Sequence, residues 1–106
     1  MNTSKKKTRL DLQKILEDLL DSKNVYYQPP ENLKMNYPAI RYSLVDIEDD
    51  YADDMKYKSG KVYDIVVIDK KPDNPVIEKI LALPYTDFNR HYISDNLNHD
   101  IIKIYF

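Results

Sequence analysis

The 106-residue chain contains no cysteine, no tryptophan and one glycine. Without cysteine there are no disulfides, no thiolate metal ligands and no thiol nucleophile. Without glycine runs there is no phosphate-cradling loop and no dinucleotide fingerprint, because both need several residues lacking Cβ for backbone to approach phosphate. Gly60 alone builds neither, and no G-x-S-x-G nucleophile elbow occurs. Long apolar runs are also missing: nothing approaches the roughly 18 residues of a membrane-spanning helix, and no apolar stretch near Met1 reads as a secretory signal. These absences point to a soluble protein made in a cytoplasm, with no catalytic residue, cofactor site or metal site assigned. A chain of this length forms one domain with a single core.

Charge is abundant but unevenly placed. The formal net charge is −2, from 16 basic and 18 acidic residues. Lys5, Lys6, Lys7 and Arg9 cluster at the start, leaving 12 basic against 18 acidic residues beyond them, a net of −6. We therefore expect a disordered basic leader over 1–8 and a single domain over 9–106. An acidic body disfavours ordinary phosphate binding, which wants a Lys/Arg surface.

The periodicity defines the elements. Thr8 and Asp11 form a capping box opening an amphipathic helix of about four turns. Its apolar stripe is Leu12, Ile15, Leu16, Leu19 and Leu20, with Asn24 suited to end it in a left-handed conformation. Val25-Tyr26-Tyr27 is a short β run stopped by Pro29-Pro30, and 31–38 reads as loop. Ala39 to Ile47 is a strand whose apolar parity switches between Leu44 and Val45, predicting a bulge or burial on both sides. Lys61 to Asp69 is apolar on both parities and reads as a central strand. Asn74 and Pro75 open a short helix carrying Val76, Ile77, Ile80 and Leu81, ended by Pro84. Phe88–Ile93 and Ile101–Phe106 close the chain as an antiparallel pair around a turn of Ser94, Asp95, Asn96 and Asn98. The expected class is α+β: a mainly antiparallel sheet of four to five strands with two helices packed on one face.

Three groups of side chains invite a chemical reading. Asp46, Glu48, Asp49, Asp50, Asp53 and Asp54 crowd six carboxylates into nine residues. Asp46, Glu48 and Asp50 match the first alternate ligand positions of an EF-hand loop, but Tyr51 stands where the turn glycine belongs and Tyr57 where the bidentate Glu belongs. The group reads instead as a solvated acidic loop, or as a negative surface that faces a basic partner or repels passing nucleic acid. His91 and His99 are the only imidazoles. A catalytic or metal reading would join His99 to Asp95 or Asp100, or bring His91 across the hairpin; the simpler one has Asp95 and Asn96 fixing the turn with the histidines packed nearby. The ten tyrosines suit core first, protein–protein interface second, and single-strand stacking last.

Certain stretches also carry a likeness. The ending Phe88, Arg90-His91-Tyr92, then Asp95-Asn96-Leu97-Asn98-His99-Asp100 before a last strand, resembles small proteins of tailed bacteriophages and prophages. Those are known as minor capsid, head–tail joining or tail-terminator proteins. Tyr37-Pro38-Ala39-Ile40 with Tyr42 and Leu44, and Val66-Val67-Ile68-Asp69-Lys70 followed by Pro72-Asp73, look similar too, so the resemblance covers roughly residues 25 to 106. It implies a structural subunit in the virion at the head–tail junction, assembled in the host cytoplasm. Its partners would be copies of itself in a ring, usually a hexamer, together with tail-tube and head-connector proteins. DNA would pass through without specific binding, and no membrane is involved. Under this reading the chain's own chemistry nominates Asp46, Glu48, Asp49, Asp50, Asp53 and Asp54 as a partner- or lumen-facing element. Asp95, Asn96 and His99, with the first helix, are the nominated subunit contacts. Rival readings are a small nucleic-acid-binding or metal-binding regulatory module, or a metal-dependent nuclease using the acidic residues or Asp95, His99 and Asp100.

Overall fold

The computed structural model describes the backbone of residues 8–52 and 55–106, and the side chains of 8–47 and 60–106. Two helices and five strands follow in the order α1 (Arg9–Leu20), β1 (Val25–Tyr27), β2 (Ala39–Ala52), β3 (Met55–Asp69), α2 (Val76–Leu81), β4 (Thr86–Ser94) and β5 (Leu97–Tyr105). The strands form one mixed sheet in the order β1-β2-β3-β5-β4. Only β1 and β2 run parallel; the other neighbours are antiparallel, which makes the class α+β.

Helix α1 starts as its sequence dictates. Thr8 accepts from the Asp11 amide, and the Asp11 carboxylate accepts from the Thr8 amide at 2.9 Å, so two orphan donors of the first turn are satisfied reciprocally. It ends earlier than expected. Asp21, not Asn24, takes the left-handed position at φ 58°, with its amide reaching back to Asp18 and Glu17 carbonyls. Asn24 instead lies just before β1, where its side chain meets the Pro38 carbonyl. For α2 the chain turns helical at Pro75 (φ −57°, ψ −22°), while the Asn74 side chain accepts from the Val76 amide at 2.8 Å. At its far end Thr86 Oγ1 donates to the Leu81 and Leu83 carbonyls, tying α2 to the start of β4.

The core is built on alternate residues of the middle strands. Ile40 and Tyr42 of β2, Tyr63, Ile65 and Val67 of β3, and Ile102 and Ile104 of β5 cluster with Leu12 and Leu16 of α1 and Val76 and Ile80 of α2. Each such fully buried side chain contributes roughly 1.5–3 kcal/mol by leaving water. The opposite parity of β3 is buried as well, at Val62, Val66 and Ile68, as the uninterrupted apolar run requires of a central strand. The expected bulge is real: the β2–β3 register slips between Leu44 and Asp46, leaving Val45 as the extra residue.

Two boundaries differ from the sequence reading in ways that matter. The acidic segment is not a loop. Asp46, Glu48, Asp49 and Asp50 lie in β2, which runs to Ala52 and pairs with a β3 that begins at Met55; Asp53 and Asp54 fall outside the described residues. Strand pairing satisfies the backbone of this segment, so a charged sequence is compatible with a two-stranded ribbon. The second is the β4–β5 turn, which is only Asp95-Asn96, both left-handed at φ 52° and 61°. That is the conformation of a two-residue type I′ hairpin, for which Asp and Asn are among the few suitable non-glycine residues. Asn98 is a buried member of β5, not a turn residue, and its amide donates to the Asp69 and Lys70 carbonyls, holding the end of β3 against β5. The sole glycine is not spent on any of these turns: Gly60 sits within β3 with open space where a Cβ would be, its nearest neighbour being the Phe106 carbonyl at 3.9 Å.

Since Asn96 tolerates its left-handed backbone and a β-branched residue does not, Asn96→Val is expected to lower stability by about 1–2 kcal/mol in urea unfolding, whereas Asn96→Gly leaves it unchanged or raises it.

Candidate functional site

The two histidines do not converge. His91 of β4 stands opposite Asp100 of β5, and the next rung pairs Tyr92 with His99, so strand alternation sends the two imidazoles to opposite faces of the sheet. His91 Nδ1 lies 2.8 Å from Asp100 Oδ1. An ionised carboxylate only accepts, so the ring donates from Nδ1 there. Asp100 is almost fully buried and the His91 side chain is 40 % exposed, an arrangement that satisfies an interior carboxylate from the surface. On the other face His99 donates from Nδ1 to the Leu97 carbonyl at 3.0 Å, and its ring stacks on Tyr92 at 4.6 Å and 8°. Arg90 lies over the other aromatic neighbour, its guanidinium carbon 5.2 Å from the Tyr92 centroid. The result is a short Arg90–Tyr92–His99 column. Asp95 is an exposed turn residue, and Asp95, His99 and Asp100 form no cluster. Among the described residues no group of three or more His, Asp or Glu is placed to hold a metal ion.

The tyrosines divide as core and anchor. Tyr42 and Tyr63 are buried, with ring centroids 5.9 Å apart, and Tyr27 packs on both. Burial pushes the phenol pKa of each of the buried pair upward. The Tyr42 hydroxyl is not wasted in the interior: it donates to Gln13 Oε1 at 2.6 Å and accepts from Arg9 at 3.1 Å. Gln13 in turn donates to Glu17 and to the Val25 carbonyl, and Lys23 donates to Glu17. Arg9, counted with the basic leader in the sequence, belongs to this network, its guanidinium carbon 4.3 Å from the Tyr27 ring centroid. The chain thus commits the outermost helix residues to fixing α1 on β1 and β2. Among the described residues one buried side-chain polar atom is without a hydrogen-bond partner: Asp64 Oδ1, on β3 opposite Ser43 of β2 and Lys103 of β5.

The features that project are the β2–β3 hairpin and β4. Beyond Tyr42, β2 has no paired residue in β1, and below Val62, β3 has none in β5 apart from a single bond from the Phe106 amide to the Lys61 carbonyl. Among the described residues the two strands there form a ladder with each other. Val45 and Ile47 on this arm are 47 % and 57 % exposed. Strand β4 is the opposite edge of the sheet, and it is exposed along most of its length, with Phe88 at 47 % and Ile93 at 66 %. Sequence reading missed the β4 edge because nothing local distinguishes an edge strand from an interior one when its partner order is unknown. The one available signal was the poor apolar alternation of Asp87-Phe88-Asn89-Arg90-His91.

Glu17 supplies a pH test of the α1 anchor. Its carboxyl is held below the usual carboxylate range, first by the Gln13 hydrogen bond and then by Lys23. A depressed folded-state pKa gives stability that is present above the unfolded pKa and lost as pH falls through the folded one. Glu17→Gln should therefore destabilise the protein at neutral pH, with the difference from wild type shrinking as the pH falls below the ordinary carboxylate range, measured by thermal unfolding across pH. Compared with known proteins, the chain matches no family model and no curated sequence.

Proposed function

We propose that this protein is a structural assembly subunit of a tailed phage or prophage, a ring-forming tail-terminator or head–tail joining protein. It would cap the tail tube and dock to the head connector, at the head–tail junction of a virion assembled in the host cytoplasm. The supporting observation is the β2–β3 arm: a two-stranded ribbon running past its own sheet, with apolar side chains exposed at its root. Isolated two-stranded ribbons are marginal in water, so a chain that builds one gains most when a neighbour covers it. The acidic residues Asp46, Glu48, Asp49 and Asp50 on that arm suit contact with a basic partner surface, and along a DNA passage they would repel phosphate. A subunit with different surfaces at its two sheet edges forms heterologous contacts, which close into a ring when the rotation closes. The resemblance of the 88–100 block to phage joining proteins points the same way.

A second reading, a small nucleic-acid-binding module, is favoured by the Arg90–Tyr92–His99 column, since stacked aromatics beside a guanidinium accept bases. It predicts salt-sensitive binding of single-stranded DNA that Tyr92→Ala reduces.

The assembly reading is tested by native mass spectrometry and negative-stain microscopy of the purified protein, alone and with tail tubes. Closed rings of defined copy number, free or seated on tube ends, are the expected result. Failure to form rings alone and to bind tube ends overturns it, and retention of low-salt DNA binding in that case selects the second reading.

A further inference from the structure

Resting on the assembly reading and deepening it, we infer that the subunits join edge to edge. The outer edge of β4 in one copy pairs with the outer edge of the β2 arm in the next, so that the sheets run on from subunit to subunit. The two edges are the right ones to meet. The sheet ends at β4 on one side. On the other side β1 pairs with β2 from Ile40 to Tyr42, and from there to Ala52 the outer edge of β2 faces no strand among the described residues. A contact joining one side of the sheet to the opposite side of a second copy is heterologous, the kind that propagates around a ring.

The side chains on the two edges are complementary. The arm offers exposed Val45 and Ile47 with Asp46 between them, followed in sequence by Glu48, Asp49 and Asp50. Strand β4 offers exposed Phe88 and Ile93 with Arg90 between them, against one acid, Asp87, while His91 is already paired with Asp100. Apolar residues flank charges of opposite sign on the two partners.

The free arm is also protected in the way an edge awaiting a partner must be. Gln28 Oε1 accepts from the Leu44 amide at 3.2 Å, and Asp46 Oδ1 accepts from the Ile47 amide at 2.8 Å. Side chains thus occupy amides that a docked strand would otherwise take, while β4 carries a bulge between Phe88 and Arg90 and charged residues along its length. Such devices keep open edges from pairing indiscriminately. Docking then requires exchange of weak local bonds for a strand ladder, which favours pairing where apolar and charged contacts both match.

The absence of native cysteine makes the test clean. Ile47→Cys is combined in turn with Phe88→Cys, Arg90→Cys and Ile93→Cys, and oxidised protein is run on non-reducing gels. At least one double variant should give a ladder of covalent oligomers ending at the ring size seen for wild type, while each single variant remains monomeric. Arg90→Glu should weaken assembly about fivefold, and adding Asp46→Lys should restore it. Dimers from Ile93→Cys alone would replace this contact by pairing of two β4 edges and overturn it. Rings in the wild type with no ladder from any double variant overturn the edge contact and leave the assembly reading standing. No higher-order species in wild type or variants, with or without tubes, removes both.

Discussion

Burial of both parities of β3 between Val62 and Ile68 is the constraint on which the structure depends. Its backbone edges are taken by β2 on one side and by β5 on the other, with an unbroken ladder on the β5 side. The helices then complete the core through Leu12, Leu16, Val76 and Ile80. Where the two-sided burial stops, at Val62, the character of the chain changes. The paired residues of β5 end opposite it at Tyr105, the Phe106 amide still donates to the Lys61 carbonyl, and among the described residues the earlier part of β3 pairs with β2.

Polar groups inside this framework are placed to fix geometry. Asn98 clamps the end of β3, Asp100 is answered by His91, and the Tyr42 hydroxyl sits in a chain from Arg9 through Gln13 to Glu17 and Lys23. In a low-dielectric interior each unanswered donor or acceptor costs about 1–3 kcal/mol, so these partners restrict how α1 and the β4–β5 hairpin can sit. Placement of those elements in turn defines two different sheet edges, one at β1 and one at β4.

Two local details of the sequence reading, the acidic loop and the helix end at Asn24, differ from the structure, and the alternative that brought the histidines together is not what the register gives, because local composition does not reveal what lies across a strand. Asp46 to Asp50 read as a loop because carboxylates in series repel and want water, yet their backbone pairs with β3 in a two-stranded ribbon. His91 and His99 lie close in sequence and flank a turn, but an even-spaced pair across a tight hairpin is set by register, and here the register assigns them to opposite faces. Asn24 and Asp21 both tolerate left-handed backbone; the helix stops at the earlier one, and Asn24 lies before β1 with its side-chain amide donating to the Pro38 carbonyl.

What the amino-acid order settled alone was local: the capping box of α1, its apolar stripe, the Asn74-Pro75 helix start and the centrality of 61–69; it marked the parity switch at Val45 and a turn around Asp95-Asn96 without choosing the bulge or fixing the turn's length. Each depends on residues within a few positions of one another, where sterics and hydrogen bonding leave little choice. Strand order, the reach of the β2–β3 arm, the His91–Asp100 pair and the identity of the open edges came only from tertiary structure. They depend on which distant segments share a ladder, a choice made by the joint burial of the whole core that no single window of sequence contains.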